Sequence, residues 1–162
     1  MVQKVIIIMG SGSDEEFTKP IRAVLNKLGI SYQLRVSSAH KTPNKLLKTL
    51  EEYENQDYRI VYITVAGRSN ALSGFVDANT RYPVIACPPL SNRFSGVDIY
   101  SSLRMPSGVA PLVVLEAESA ALAAAKILAL SSPEINEKVL EYQKSIRSKV
   151  DLDDKKLRET KD

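Results

Sequence analysis

A run of four β-branched apolar residues, at positions 5–8, ends at a turn of glycine and serine and leads into a segment with helical spacing. Such a run can be buried on both faces, which is typical of a central strand in a parallel sheet. The turn at residues 10–14 reads GSGSD, and apolar residues then recur every three or four positions from Phe17 to Leu28. Glycine lets a bound group approach the backbone, and free N–H groups at a helix N-terminus attract anions. The turn therefore predicts a phosphate site.

The same unit of strand, turn and helix recurs along the chain. Runs with strand character follow at residues 32–36, 59–65, 83–86 and 112–115, and helical spacing separates them. Alternating strands and helices with short connections predict a parallel sheet with helices on both faces. We therefore expect an α/β protein of one domain over residues 1–162. Its core should be a three-layer α/β/α sandwich around a flavodoxin-like parallel sheet of about five strands.

Capping residues predict where the helices begin and end. Ser13 and Glu16 have the spacing of a capping box, so the first helix is expected to begin there and to end at Gly29. Thr42 followed by Pro43 predicts the start of the second helix. Further helical segments are expected at residues 70–78, 97–103 and 120–130. The last of these is rich in alanine, which allows close packing, so we expect another element to cover it.

The last part of the chain is expected to add a C-terminal helix to a core that spans residues 4–131. Ser132 and Pro133 predict the start of that helix. Apolar residues at helical spacing continue to Val150, which predicts a helix over residues 132–150. Residues 151–162 are mostly charged and are expected to form a frayed tail.

Composition and charge exclude several classes of protein. The net charge is +3, with 22 basic and 19 acidic residues interspersed, which is too small an excess to predict a nucleic-acid partner. No apolar run approaches the length of about 20 residues that a membrane-spanning helix needs, and we expect no signal peptide. One histidine, and one cysteine (Cys87) that should be buried, predict neither a metal site nor an internal disulfide. We therefore expect a cytoplasmic protein without a membrane partner.

Polar residues follow each of the first predicted strands. In parallel α/β sheets, ligands bind beyond the C-terminal ends of the strands, so these residues are expected to lie at one edge of the sheet. Aromatic residues make up only 6% of the chain, which disfavours a stacked flavin or nucleobase. The candidates for chemistry in these turns are Ser11, Gly12, Ser13, Asp14, Ser38, His40, Lys41, Gly67, Ser69 and Asn70.

Two interpretations stay open for each of these turns. Residues 10–14 either cradle a phosphate or form a tight turn that only caps the helix. His40, a side chain with an ordinary pKa of about 6.5, is either a general acid-base or a solvated or structural residue. Lys41 either binds an anion or is a surface lysine. Residues 66–70 offer N–H groups to a developing negative charge, and Arg68 either holds a carboxylate or pairs with an acid at a subunit contact.

Five motifs occur in a characteristic order: MGSGSD after strand one, SAHKTP after strand two, AGRSNALSG after strand three, CPPL after strand four and SSLRMPSG before strand five. Their order and spacing resemble the aminoimidazole ribonucleotide (AIR) carboxylase family of purine biosynthesis. The resemblance covers residues 5–130 and is looser beyond them. It implies a flavodoxin-like fold, no metal or organic cofactor, and a homo-octamer with sites at subunit contacts, a tetramer being the alternative.

The resemblance also implies roles for individual residues. His40 would be the general acid-base. The GSGSD turn, through Ser11, Gly12 and Ser13, would hold the 5′-phosphate together with Lys41. Further substrate contacts would come from Asp14, on the ribose hydroxyls, and from Ser38, Gly67 and Ser69, which would line the pocket for the imidazole and its carboxylate.

Two branches of the family differ in their chemistry. One is N5-carboxyaminoimidazole ribonucleotide mutase, which moves a carboxylate already on its substrate, and it usually reads SAHR and AGGAAHLPG. The other carboxylates AIR at C4 with CO2 to give 4-carboxy-AIR (CAIR). The present chain reads SAHK and AGRSNALSG, which resembles the CO2-using branch. The mutase is the alternative function.

Two functions from other classes use the same architecture. A flavodoxin-like module that binds FMN would need aromatic flanks, which the sequence lacks. A phosphoacceptor signalling domain would need an aspartate at the end of strand three, where this chain has Ala66 and Gly67.

Overall fold

The computed structural model describes residues 2–91 and 93–160. Its strands are β1 (Val2–Met9), β2 (Ser31–Val36), β3 (Tyr58–Val65), β4 (Val84–Ala86) and β5 (Leu112–Val113). Its helices are α1 (Lys19–Lys27), α2 (Pro43–Glu54), α3 (Ala71–Ala78), α4 (Tyr100–Leu103), α5 (Ala117–Ala129) and α6 (Pro133–Glu159). Short 3₁₀ segments lie at Gly12–Asp14, Glu16–Thr18 and Arg93–Ile99.

The five strands form one parallel sheet in the order β2-β1-β3-β4-β5, which confirms the predicted α/β class and flavodoxin-like topology. Strand β1 lies inside the sheet, next to the edge strand β2, and Ile6 is paired with Gln33 of β2 on one side and with Tyr62 of β3 on the other. The chain order reverses between β1 and β3. Ligands of doubly wound sheets bind at such a reversal, so the turns after β1 and β3 are placed where a site is expected.

Alternate residues of β1 are buried on opposite faces of the sheet. Val5 and Ile7 pack with α1 and α5, whereas Ile6 and Ile8 pack with α2 and α3. All four side chains are fully buried. The unbroken apolar run is therefore explained by helices on both faces, as the sequence predicts.

Helix α5 lies between the sheet and two other helices. Its buried alanines share one core cluster with residues of α1 and with Ile135 and Val139 of α6. Alanine side chains let these helices approach closely, and the expectation that another element covers the alanine-rich helix is confirmed. Cys87 lies in the same cluster, fully buried, and burial raises the pKa of its thiol to about 12.

The predicted start of the first helix at Ser13 is wrong, because α1 begins at Lys19. The capping box is present two residues earlier, between Ser11 and Asp14, and it begins a 3₁₀ turn instead of an α-helix. Pro20 explains the delay, since a proline lacks the N–H that an interior helical position needs but is tolerated in the first turn. The predicted end is confirmed by Gly29, which has a positive φ of 65° and follows Leu28, the C-cap of α1.

Strand β5 and helix α6 differ in length from the prediction. Only Leu112–Val113 form β5, because its neighbour β4 ends at Ala86 and prolines follow at 88 and 89, which cannot donate to the ladder. Helix α6 continues to Glu159, so the frayed tail from residue 151 is not observed up to that point. Pairs such as Arg158–Asp154, four residues apart, support the added turns. Residues 161 and 162 lie outside the described part of the chain.

Over residues 2–91 and 93–160, none of the helices is both long enough and apolar enough to span a bilayer.

Candidate active site

A cavity of about 480 Å³ lies at the C-terminal edge of the sheet, where the chain order reverses. The turns after β1, β2, β3 and β4 form its walls. The structure brings together every predicted site residue except Gly12 and Asn70, and the predicted residues that line the cavity are Ser11, Ser13, Asp14, Ser38, His40, Lys41, Gly67 and Ser69. A Cβ atom on Gly12 would meet no described atom within 4 Å, so packing within the chain does not require glycine there.

The turn after β1 is closed by its own side chains. The Ser11 N–H donates to Asp14 Oδ2 over 3.1 Å, and the Ser13 N–H donates to Ser11 Oγ over 3.3 Å. The expectation that this turn presents free N–H groups is therefore wrong for Ser11 and Ser13. Their hydroxyls, joined by a hydrogen bond of 2.9 Å, line the cavity instead. An anion here would be met first by hydroxyl groups at the start of a short 3₁₀ turn.

Asp14 is the acidic side chain of the turn, and it is half-buried. Burial raises the pKa of the Asp14 carboxyl above its usual 3.8, while the hydrogen bond from Ser11 and the charge of Arg68 act in the opposite direction. Its Oδ2 atom is engaged by Ser11. A carboxylate accepts several hydrogen bonds, so Asp14 retains the capacity to bind hydroxyl groups in the cavity.

The turn after β2 is held by Thr42. Its Oγ1 accepts a hydrogen bond of 3.0 Å from the Ser38 N–H, and its own N–H donates to the Ser38 carbonyl over 2.9 Å. Thr42 occupies the N-cap position of α2, as predicted, but its hydroxyl serves this turn and not the helix. His40 and Lys41 are thereby placed at the tip of the turn with exposed side chains that line the cavity. A buried structural histidine is thus excluded.

The turn after β3 rests on Asn70, which is buried and does not line the cavity. The Asn70 Oδ1 atom caps α3 by accepting from the Ser73 N–H over 3.2 Å, and Nδ2 donates to Ser102 Oγ over 2.9 Å. Gly67 lies against the loop after β4, where an added Cβ would come within 3.4 Å of the Pro89 carbonyl oxygen. Asn70 is therefore a scaffold residue of the site, not a ligand.

Part of the wall was not predicted as part of the site. Arg68, which the sequence left between two roles, lines the cavity. The further lining residues are mostly apolar or come from the loop after β4, namely Gly10, Ala39, Ala66, Leu72, Pro89, Leu90 and Ser91. The CPPL motif after the fourth strand was the signal for this loop, but an apolar motif carries no chemistry that would single it out.

The cavity combines one titratable imidazole with cationic and hydroxyl side chains. Lys41 and Arg68 supply positive charge, and Asp14 supplies the acidic group. No group of three or more His, Cys, Asp and Glu side chains suited to a metal ion occurs among the described residues. This arrangement can bind an anionic molecule and move a proton at a group held beside His40.

Comparison with known proteins supports one family. The profile of the family described as AIR carboxylase matches residues 4–149. A phosphoribosylaminoimidazole carboxylase of Archaeoglobus fulgidus is 56% identical over 155 residues, which are 96% of this chain and 85% of that protein. One of Treponema denticola is 51% identical over 154 residues, 95% of this chain and 97% of the relative.

A solved structure has the same fold. The crystal structure of Treponema denticola PurE superposes with a TM-score of 0.94 at 51% sequence identity. The superposition covers 96% of this chain and 98% of that one. The present chain and Treponema denticola PurE therefore share one fold over nearly their whole lengths.

Proposed function

The chain belongs to the AIR carboxylase family of purine biosynthesis, and from that premise we propose that it carboxylates AIR at C4 directly with CO2. The observation that carries this proposal is that His40, Lys41 and Asp14 line one cavity together with the hydroxyl turn, by which we mean the turn after β1 with the hydroxyls of Ser11 and Ser13. The turn after β3 reads Gly-Arg-Ser-Asn, which favours the CO2-using branch over the mutase. Both relatives compared above carry the name carboxylase.

Substrate binding follows from the side chains of the turns after β1 and β2. Ser11, Ser13 and Lys41 would hold the 5′-phosphate, since two hydroxyls and one ammonium group suit a phosphate. Asp14 would accept hydrogen bonds from the ribose hydroxyls. These contacts are remote from the reacting carbon, and their binding energy is used to orient the ring beside His40.

The reaction needs one proton acceptor. The aminoimidazole ring is an enamine, so C4 attacks the carbon of CO2, a C–C bond forms, and one C–O π pair becomes the carboxylate charge. The intermediate still carries its C4 proton and is not aromatic. His40 takes that proton, and the C–H electron pair restores the aromatic ring. In the decarboxylation direction His40 returns the proton to C4. An imidazole can both accept and donate a proton, so the same side chain serves both directions.

The substrate-choice assay tests the proposal. Purified protein is given AIR with ¹³C-bicarbonate as the source of CO2, and in a second reaction N5-carboxyaminoimidazole ribonucleotide in unlabelled buffer. We expect labelled CAIR from the first reaction, and from the second reaction no CAIR beyond what forms by way of free AIR. Efficient conversion of the N5-carboxy compound to CAIR in the second reaction, with no labelled CAIR in the first, would show the mutase instead. Heat-denatured protein controls for the spontaneous reactions.

We also propose that the enzyme assembles as a homo-octamer. A series of apolar side chains beside the cavity is exposed in the single chain, including Leu90, Phe94, Val97 and Tyr100. Exposed apolar residues also continue along α6 beyond Val139. Exposed apolar side chains that are grouped together mark contact sites between proteins, and we propose that the assembly covers these. Light scattering after gel filtration is expected to give eight times the chain mass of 17.9 kDa. Four times that mass would indicate the tetramer, and a monomer would contradict assembly.

A further inference from the structure

Arg68 has a backbone conformation that its side chain does not favour. Its φ angle is 57°, in the left-handed region where glycine is the residue of least strain. Arginine at such a position is uncommon, and strained backbone that persists at a cavity wall points to a use for the side chain. Since glycine would adopt this backbone without strain, we expect the guanidinium to have a role that glycine could not fill.

The conformation is imposed by α4 and by the segment that leads into it. The Arg68 N–H donates to Asp98 Oδ2 over 3.2 Å, and Ser101 Oγ donates to the Arg68 carbonyl over 2.9 Å. Ser101 Oγ also accepts from the Asn70 N–H over 2.9 Å. Both peptide groups of Arg68 are thus fixed by side chains from outside its own turn. The surrounding structure determines this backbone, because one hydrogen bond holds the Arg68 N–H and a second holds the Arg68 carbonyl.

The guanidinium itself has no such partner. Within residues 2–91 and 93–160, the Arg68 side chain makes no ion pair or hydrogen bond. Arg68 nevertheless lines the cavity, and its charge acts on the Asp14 carboxyl across it. An arginine that pairs with none of the described residues of its own chain, at the wall of a cavity suited to anions, is available to a ligand. Its planar fork matches a carboxylate with two parallel hydrogen bonds.

We infer that Arg68 is a specificity-determining residue that binds the carboxylate which the reaction adds at C4. This inference rests on the proposed function. The substrate AIR has one anionic group, its phosphate, for which Lys41 and the hydroxyl turn are the counterpart. The product CAIR has a second anion, and the cavity has a second cation on a different turn. Arg68 therefore distinguishes CAIR from AIR, and its backbone is held by Asp98 so that the guanidinium stays in the cavity.

Three substitutions at Arg68 separate the effect of the guanidinium from the effect of the strained backbone. Arg68→Gly removes both, Arg68→Ala removes the guanidinium and keeps the strain, and Arg68→Lys keeps the strain and a positive charge. We expect Arg68→Gly to melt at a higher temperature than Arg68→Ala, since glycine accepts the positive φ. This thermal order depends on the backbone alone and is measured without any ligand.

Ligand affinity is measured by calorimetry for AIR and CAIR, with His40→Asn present in every protein so that CAIR is not consumed. We expect Arg68→Gly and Arg68→Ala to raise the dissociation constant for CAIR about 10- to 100-fold and to change that for AIR by less than about threefold. Arg68→Lys should recover part of the CAIR affinity. Equal losses of affinity for AIR and CAIR would assign Arg68 to the phosphate. No loss of affinity for either ligand would show that Arg68 does not contact the ligand. Both results overturn the inference.

Asp98 is tested as a positioning residue. Asp98→Asn keeps an oxygen that accepts the Arg68 N–H, whereas Asp98→Ala removes it. We expect Asp98→Ala to lower CAIR affinity selectively and Asp98→Asn to restore it, a pattern that general damage to the fold would not produce. Losses for AIR and CAIR alike in Asp98→Ala would overturn the positioning role. If the parent enzyme bound neither ligand, the proposed function itself would fail, and that result is distinct from a loss of discrimination.

Discussion

His40→Asn is expected to lower the rate of carboxylation by about 10²- to 10⁴-fold, the range that general acid-base catalysis contributes. The intermediate formed by attack on CO2 must lose its C4 proton, and His40 is the one histidine of the chain. Asparagine keeps the polarity and approximate size of the side chain but cannot accept that proton. AIR affinity should stay within about threefold of the parent, because the phosphate and ribose contacts lie on other residues.

His40→Asn is expected to leave the fold undisturbed, so that a loss of activity can be ascribed to the lost imidazole. His40 is exposed, and its side chain makes no hydrogen bond or ion pair in the part of the chain that is described. Replacement should therefore change the free energy of unfolding by less than about 0.5 kcal/mol. Turnover is followed in both directions, together with AIR binding and thermal unfolding. A variant that keeps more than about a tenth of the parent rate would show that another group takes the proton.

Lys41→Ala is expected to raise the dissociation constant for AIR by about 10- to 150-fold, which corresponds to about 1.5–3 kcal/mol for a hydrogen bond to a charged group. The ammonium group makes no ion pair with the described residues, so alanine removes a ligand contact without breaking an internal one. The turn itself should persist, since the Lys41 N–H still donates to Ser38 Oγ over 3.2 Å. Calorimetric titration with AIR gives the constant.

A matched control comes from Lys48, an exposed lysine of α2 that does not line the cavity. Lys48→Ala removes the same charge from the protein, so it reports the effect of net charge alone. We expect its AIR constant to stay near that of the parent. If Lys41→Ala behaved like Lys48→Ala, Lys41 would have no part in the phosphate site. Added salt should weaken the parent more than Lys41→Ala, because the contact with the phosphate is ionic.

The fold was predictable because its strongest signals are local. The apolar run of β1 and the alternation of strands with helices are read directly from residue order, and both are confirmed. Boundaries failed where two local signals competed. The spacing of a capping box occurs at Ser11 and again at Ser13, and only the position of Pro20 in the following helix decides between them.

The site was predictable to the extent that topology alone places it. Parallel strands bring their C-terminal ends to one edge, so residues far apart in sequence, such as Ser11, His40 and Gly67, line one cavity. The hydrogen bonding within the turns was not predictable. Whether an N–H group is free depends on which side chain lies beside it, and Asp14 engages the Ser11 N–H that was expected to bind an anion.

Residue order by itself determined the parallel sheet, the family and the set of side chains gathered at its edge, because each follows from patterns within one strand, one turn or one motif. Only the tertiary structure decided the state of Arg68. Its left-handed backbone is held by hydrogen bonds to Asp98 and Ser101, which lie about 30 residues further along the chain, while its guanidinium pairs with none of the described residues. A contact between segments so distant is set by how the layers pack, and no local pattern in the sequence encodes it.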